Sequence, residues 1–371
     1  MPEVKSDSFS VGDAAHMAQA LRLARQGLYS AHPNPRVGCV IVNDGRVVGE
    51  GWHMRAGREH AEINALNEAG ASAAGGTAYV TLEPCAHHGK TPPCCEALIA
   101  AGVAEVVVAM QDPFNKVEGR GIAALRDAGI RVRAGLMQQA AEKLNEGFVS
   151  RVRRGRPLLR LKVACSLDGC TAMADGHSQW ITGPEARADV QRLRAASGAI
   201  LTGIGTVMAD DPSLTVREAG LVSRQPLRVV ADSRLRMPPS SCMLGLPGDT
   251  IVFCVDDSRR EALELSGARV YKLQALDGRI AMIDLLAELA NLEVNDVLVE
   301  AGETLAGALL AAGQVDELVI YQAPHIMGSE TRGMFTTPGW QQLDQKMHLT
   351  ITDIRRIGVD TRITARPVQA S

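Results

Sequence analysis

The sequence predicts an α/β protein made of two successive α/β units. Three observations carry that prediction. Short β-branched runs alternate with helical patterns along the whole chain, which is the mark of layered α/β folds. The length of 371 residues exceeds what one core usually organises, and a hydrophobic fraction of 46% with 22% charged residues lets each half build its own. Near the middle, the basic run SRVRRGRP, residues 150–157, breaks the pattern. Its arginines read as a solvated linker, so the units are expected at 1–150 and 157–371.

In the first unit a helical pattern begins at Asp13, places Met17, Leu21 and Ala24 on one face, and stops at Gly27. RVGCVIVNDGRVVGEGWH reads as a hairpin turning at Asn43-Asp44-Gly45. HAEINALNEAG is a helix ended by Gly70, TAYVTLE a short buried strand, CEALIAAG a helix and EVVVAM a strand; RGIAALRDAGIRVRAG adds one more of each. In the second unit strands are expected at LLRLKVA, AILTG, LRVVAD, TIVFCV, ARVYKL, DVLVEAG and ELVIYQA. Helices are expected at PEARADVQRLRAAS, AMIDLLAELANL and TLAGALLAAG.

The chemistry of the first unit lies in GREHAEINAL and TLEPCAHHGKTPPCC. His60 and Glu62 sit at the mouth of a helix. Cys85 follows a strand and Pro84, and Cys94 and Cys95 open the next helix. Helix N-termini favour thiolate over thiol. One imidazole and two thiolates supply three protein ligands, which leaves the open position a catalytic zinc requires. Zinc brings the pKa of a bound water near neutrality. Glu62, two residues from His60, can then accept that water's proton and pass it to a leaving amine. H-x-E followed by P-C-x-x-C marks zinc nucleobase deaminases. Here eight residues, AHHGKTPP, separate the cysteines. Spacing alone does not choose between Cys94 and Cys95, and His87 and His88 are further candidates. The rival is a purely structural zinc with a fourth protein ligand.

The second unit is less explicit. GIGT at 203–206 follows a strand, but Met208 stands where G-x-G-x-x-G needs its third glycine. VLVEAGETLAGALL places glycines between a strand and a helix, and that helix N-terminus suits phosphate oxygens. Arg194 and Arg217 are candidates for a sugar phosphate, because guanidinium groups pair bidentately with it. Asp210-Asp211-Pro212 reads as a turn that ends a helix.

HPNPRVGCVIV, GWHMRAGREHAE, VTLEPCAHHGKTPPCC and MQDPFNKVEGRG resemble the deaminase half of the bifunctional riboflavin-biosynthesis enzymes of the RibD family. LKVACSLDGCTA, SQWITG, LTGIGTVMADDPSLTVR, VVADS and VEAGETLAGALL resemble their reductase half. The resemblance covers nearly the whole chain. It implies a cytidine-deaminase-like α/β/α domain followed by a dihydrofolate-reductase-like α/β domain. It makes the long loop between ligand cysteines a family feature and Cys94 the third zinc ligand beside His60 and Cys85. It implies deamination of 2,5-diamino-6-ribosylamino-4(3H)-pyrimidinone 5′-phosphate, then NADPH-dependent reduction of the ribosyl group of 5-amino-6-(5-phosphoribosylamino)uracil to ribityl. It implies nucleotide contacts at Ala164, Trp180, Thr206, Asp210, Ser233 and the turn Gly302, Glu303, Thr304, Leu305, Ala306, Gly307 and Ala308. It implies substrate contacts at Ser178, Arg194, Leu214, Arg217 and Glu300, and a homodimer.

Composition weighs against the alternatives. A net charge of −3 and 3% aromatic residues do not supply the basic, stacking channel of a nucleic-acid-editing deaminase with an accessory domain. A zinc-stabilised scaffold would have no use for Glu62. The N-terminus lacks an apolar signal region, and no stretch is long and uncharged enough to span a bilayer, so a soluble cytoplasmic protein is expected.

Overall fold

In the computed structural model the chain forms two compact units, Met1–Arg154 and Gly155–Ser371. The described residues are 8–86, 93–114, 119–218, 220–337, 339 and 342–368.

The first unit contains α1 (Val11–Arg25), β1 (Gly38–Asn43), β2 (Arg46–Trp52), α2 (Ala61–Ala69), β3 (Thr77–Val80), α3 (Cys94–Ala100), β4 (Glu105–Val108), α4 (Arg120–Asp127), β5 (Arg131–Ala134), α5 (Gln138–Leu144) and α6 (Glu146–Arg154). Its five strands run in the order β2-β1-β3-β4-β5. β1 is antiparallel to β2 and β3, and the remaining pairs are parallel. The expected hairpin turns at Asp44 and Gly45, whose φ values of 49° and 72° are those of a type I′ turn. One sheet face packs α2, α3 and α4 through Ala61, Ala65, Leu98 and Leu125. The other packs α1 and α5 through Met17, Leu21 and Ala141. The result is an α/β/α sandwich. At Gly51 of β2 a Cβ atom would lie 2.3 Å from the Ala61 carbonyl oxygen, so only glycine lets the first turn of α2 rest on the sheet.

α1 is fixed by more than its apolar face. Ser10 and Asp13 form a capping box. The buried Asp13 carboxylate also accepts from Arg133 at 3.0 Å through both Nη atoms and from the Tyr79 hydroxyl at 2.8 Å. Arg133 reaches Glu105 with Nε at 2.6 Å. The buried bidentate pair holds the Asp13 carboxyl well below the usual carboxylate range, and burial only partly opposes this.

The basic run at 150–157 is not a solvated linker over its first half. Residues 150–154 belong to α6, which buries Phe148 and Ser150. Arg156 is bidentate to Asp316 at 2.8 and 2.9 Å. Arginine is a good helix former, and an amphipathic turn conceals it in a charge count.

The second unit contains β6 (Leu158–Cys165), β7 (Cys170–Met173), α7 (Pro184–Ala195), β8 (Ala199–Gly203), α8 (Ile204–Asp210), β9 (Leu227–Ala231), β10 (Thr250–Cys254), α9 (Arg260–Leu265), β11 (Ala268–Lys272), β12 (Ala275–Leu276), β13 (Arg279–Ile280), α10 (Met282–Asn291), β14 (Asp296–Glu300), α11 (Glu303–Ala311), β15 (Glu317–Gln322), β16 (Thr331–Gly333), β17 (Leu349–Ile357) and β18 (Asp360–Pro367). Nine strands form one sheet in the order β11-β10-β9-β8-β14-β6-β15-β18-β17. The seven strands legible in the sequence are its parallel part. The central strands β8, β10 and β14 are buried on both faces, whereas the edge strand β11 exposes Arg269 and Lys272. The β17–β18 hairpin adds an antiparallel edge, turning at Gly358 with φ 61°. Among the described residues no helix is long and apolar enough to cross a membrane.

Candidate metal centre and cofactor cavity

The first site is assembled where three elements begin. His60 is the N-cap of α2 and Glu62 lies in its first turn. Cys94 opens α3. Cys85 lies beyond the end of β3, in the segment tied to α3 by the Cys95 N–H donating to the Cys85 carbonyl at 3.2 Å. His60 Nδ1 is 3.2 Å from Cys94 Sγ and 3.6 Å from Cys85 Sγ. The three donor atoms lie within 4.8 Å of one another. An imidazole and two thiols converging on one point fit zinc, whose soft donors these are.

The electrostatics suit a cation. The Cys94 backbone N–H points at Cys85 Sγ, 3.3 Å away. Hydrogen bonding from Cys94 and from His60 holds Cys85 well below its usual range, and its pairing with Cys85 together with burial drives Cys94 up. Metal uptake requires both sulfurs as thiolates. His60 is raised by its hydrogen bond to Cys85. Glu62 is 3% exposed, and burial pushes its carboxyl up to about 7. It is hydrogen-bonded to Cys94 and stands outside the donor triad.

Cys95, left open by spacing, points into the core with Leu98 and Val106. His87 and His88 lie outside the described residues. Two neighbours were not singled out in the sequence. Glu83 is buried and accepts four backbone N–H groups, from Asp112, Gly119, Gly121 and Ile122, at 2.9–3.2 Å. His53 packs edge-on to His60 with centroids 5.3 Å apart, and burial lowers its pKa. Its ring nitrogens lie 3.1 Å from the Glu59 carbonyl and 3.0 Å from Asn34 Nδ2. Neither residue matches a metal motif, so the only signal available was polar character within an apolar strand pattern.

The second site is a cavity of about 1060 Å³ across the C-terminal ends of β6, β8, β9 and β14, where open parallel sheets bind ligands. Ala164, Trp180, Thr206, Asp210, Ser233, Gly302, Glu303, Thr304, Leu305 and Ala308 line it, as do Ser178, Arg194, Leu214, Arg217 and Glu300. Ala306 and Gly307 do not. The helical turn of α11 carries Ala306 into the core, and Gly307 faces residue 336, where a Cβ would meet the Thr336 carbonyl oxygen at 1.9 Å. Among the described residues no side chain caps α11, and Thr206 Oγ1 accepts the Gly302 N–H at 3.2 Å, so the amides opening α11 stand beside the start of α8. That cradle fits the diphosphate of a nicotinamide dinucleotide.

Arg194 is committed within the cavity wall. Its Nε and Nη2 hold both Glu300 oxygens at 2.6 and 3.1 Å, and its Nη1 donates to the Thr215 carbonyl. The pairing lowers the Glu300 pKa despite burial. Lys162 Nζ lies 3.7 Å from Glu300 Oε2. Arg217 is exposed and, among the described residues, its guanidinium makes no ion pair.

Comparison with known proteins agrees with both sites. Residues 11–110 match the cytidine and deoxycytidylate deaminase zinc-binding region, and residues 157–363 match the RibD C-terminal domain. The riboflavin biosynthesis protein RibD of Escherichia coli is 51% identical over 94% of this chain and 97% of its own length. That of Haemophilus influenzae is 44% identical over 97% and 98%. Among solved structures, Acinetobacter baumannii RibD superposes with a TM-score of 0.90 at 45% identity, covering 96% of this chain and 99% of that one. A Thermotoga maritima enzyme described as a diaminohydroxyphosphoribosylaminopyrimidine deaminase/5-amino-6-(5-phosphoribosylamino)uracil reductase gives 0.86 at 30% identity over 96% and 99%. These relatives do not favour the nucleic-acid-editing alternative. With a deaminase zinc-binding region ahead of a reductase domain, the chain belongs to the RibD family of bifunctional riboflavin-biosynthesis enzymes.

Proposed function

We propose that residues 1–150 deaminate 2,5-diamino-6-ribosylamino-4(3H)-pyrimidinone 5′-phosphate. Residues 157–371 then reduce the ribosyl group of the resulting 5-amino-6-(5-phosphoribosylamino)uracil with NADPH. The observation that carries the reading is the convergence of His60, Cys85 and Cys94 beside a buried glutamate outside that donor triad. His60, Cys85 and Cys94 would hold the metal, which when bound would supply the acidification of a water. Glu62 takes the water's proton and returns one to the departing amine.

In the second unit the amides from Gly302 onward and Thr206 receive the cofactor, which supplies the hydride. Arg217 receives the sugar phosphate. Arg194 orients Glu300 rather than binding phosphate directly. Lys162, beside Glu300, is the group placed to give a proton to the sugar oxygen. The molecule is read as a cytoplasmic homodimer. The exposed edge strand β17, with Ile351 and Ile354 facing solvent, supports pairing of two copies.

Two measurements test this. Given the diamino substrate and NADPH, the purified protein should release one ammonia for each NADPH oxidised; ammonia without NADPH loss would remove the second assignment. Cys94→Ser should lower zinc content to background, whereas Cys95→Ser should keep the metal and lose about 1 kcal/mol of stability from its core position. Equal zinc loss in both variants would reassign the ligand.

A further inference from the structure

The cofactor cavity carries paired charge at one end and unpaired charge at the other. On β14 and β6, Glu300 is already paired with Arg194 and approached by Lys162. Two strands from β14 and three from β6 in the sheet order, the turn after β9 and the β12–β13 hairpin bring Arg234 and Arg279 to the lining. At ordinary interstrand spacing that separation is about 10 to 14 Å. The Ile280 N–H donates to Ser233 Oγ at 3.3 Å, so the two loops are tied together. Both arginines are exposed, and among the described residues neither guanidinium makes an ion pair or hydrogen bond. The neighbouring Arg236 differs: its Nε lies 4.0 Å from the fully buried carboxylate of Asp232.

Both guanidinium groups keep their donors free for a ligand, and a dianion is the ligand that can take charge-assisted contacts from both. A dinucleotide held by its diphosphate at the amides opening α11 would have the β9 end of the same cavity, with Arg234 and Arg279, within reach of its adenosine ribose. We propose that Arg234 and Arg279 clasp the phosphate on that ribose and thereby set the preference for a 2′-phosphorylated over an unphosphorylated nicotinamide cofactor. The proposal rests on the reductase reading above and adds the residues that discriminate.

The test is calorimetric titration of the full-length protein with 2′,5′-ADP and with 5′-AMP, which differ by the phosphate in question. Loss of two charge-assisted contacts in R234A/R279A is expected to weaken 2′,5′-ADP by about 30- to 100-fold. Binding of 5′-AMP should stay within about twofold, and R234K/R279K should recover part of the loss because the charge remains. Unchanged 2′,5′-ADP affinity overturns the proposal. Equal weakening of both ligands also overturns it, because the arginines would then be holding the loops in place. If the unaltered protein binds neither ligand, the reductase reading fails as well, and the two failures are thereby told apart.

Discussion

Glu62→Gln is expected to remove ammonia release by about 10²- to 10⁴-fold, the range proton transfer contributes, while zinc content and folding are retained. Glutamine keeps the shape of the side chain and one acceptor oxygen but cannot carry a proton. The buried position takes a neutral group without desolvation cost, so the fold loses little. His60, Cys85 and Cys94 remain to hold the metal. The variant should still oxidise NADPH when given the deaminated pyrimidine, because the described residues lining the cofactor cavity belong to the second unit. Metal analysis, an ammonia assay and the loss of NADPH absorbance on one preparation check all three points. Ordinary ammonia release would leave Glu62 without its assigned role.

Arg133→Met is expected to destabilise the first unit by about 3–5 kcal/mol, because it leaves the Asp13 carboxylate buried without its cation. Asp13→Asn should cost less, since the asparagine keeps an acceptor for Tyr79 and for the guanidinium. The pair also sets an acid dependence. The folded pKa of Asp13 lies below its unfolded value, so the stabilisation is fully present above about pH 4 and is lost as pH falls. Urea denaturation at neutral pH and at about pH 3 should show a steeper acid loss in the unaltered protein than in Asp13→Asn. Parallel curves would remove Asp13 from the account.

Much of the architecture was legible because its signals are local. Five of the seven parallel strands, β8, β9, β10, β14 and β15, carry runs of three or four apolar residues, whereas β6 and the edge strand β11 alternate apolar with charged residues. The order of His60, Glu62, Cys85 and Cys94 named its chemistry because each residue sits at the start or end of an element, where helix termini already favour the needed charge state. What the sequence concealed is long-range or exposed. β17 buries little of either face, so LTITDIRRI gave no core stripe. Arg194 reads as a free phosphate binder until Glu300, 106 positions later, occupies its fork. Ala306 and Gly307 share a motif with cavity residues and differ only in their phase on α11. Glu83 and Arg133 act through partners 28 to 120 positions away, and no spacing rule connects them.

Glu83 has a consequence for how metal is acquired. It stands two residues before a sulfur donor, and its anchorage is to main-chain amides rather than to the ion. The peptide that presents Cys85 is therefore ordered during folding, and little conformational entropy remains to be lost on capture. A chelator should strip such a site reversibly and leave the domain folded, unlike small zinc modules that melt when the ion is withdrawn.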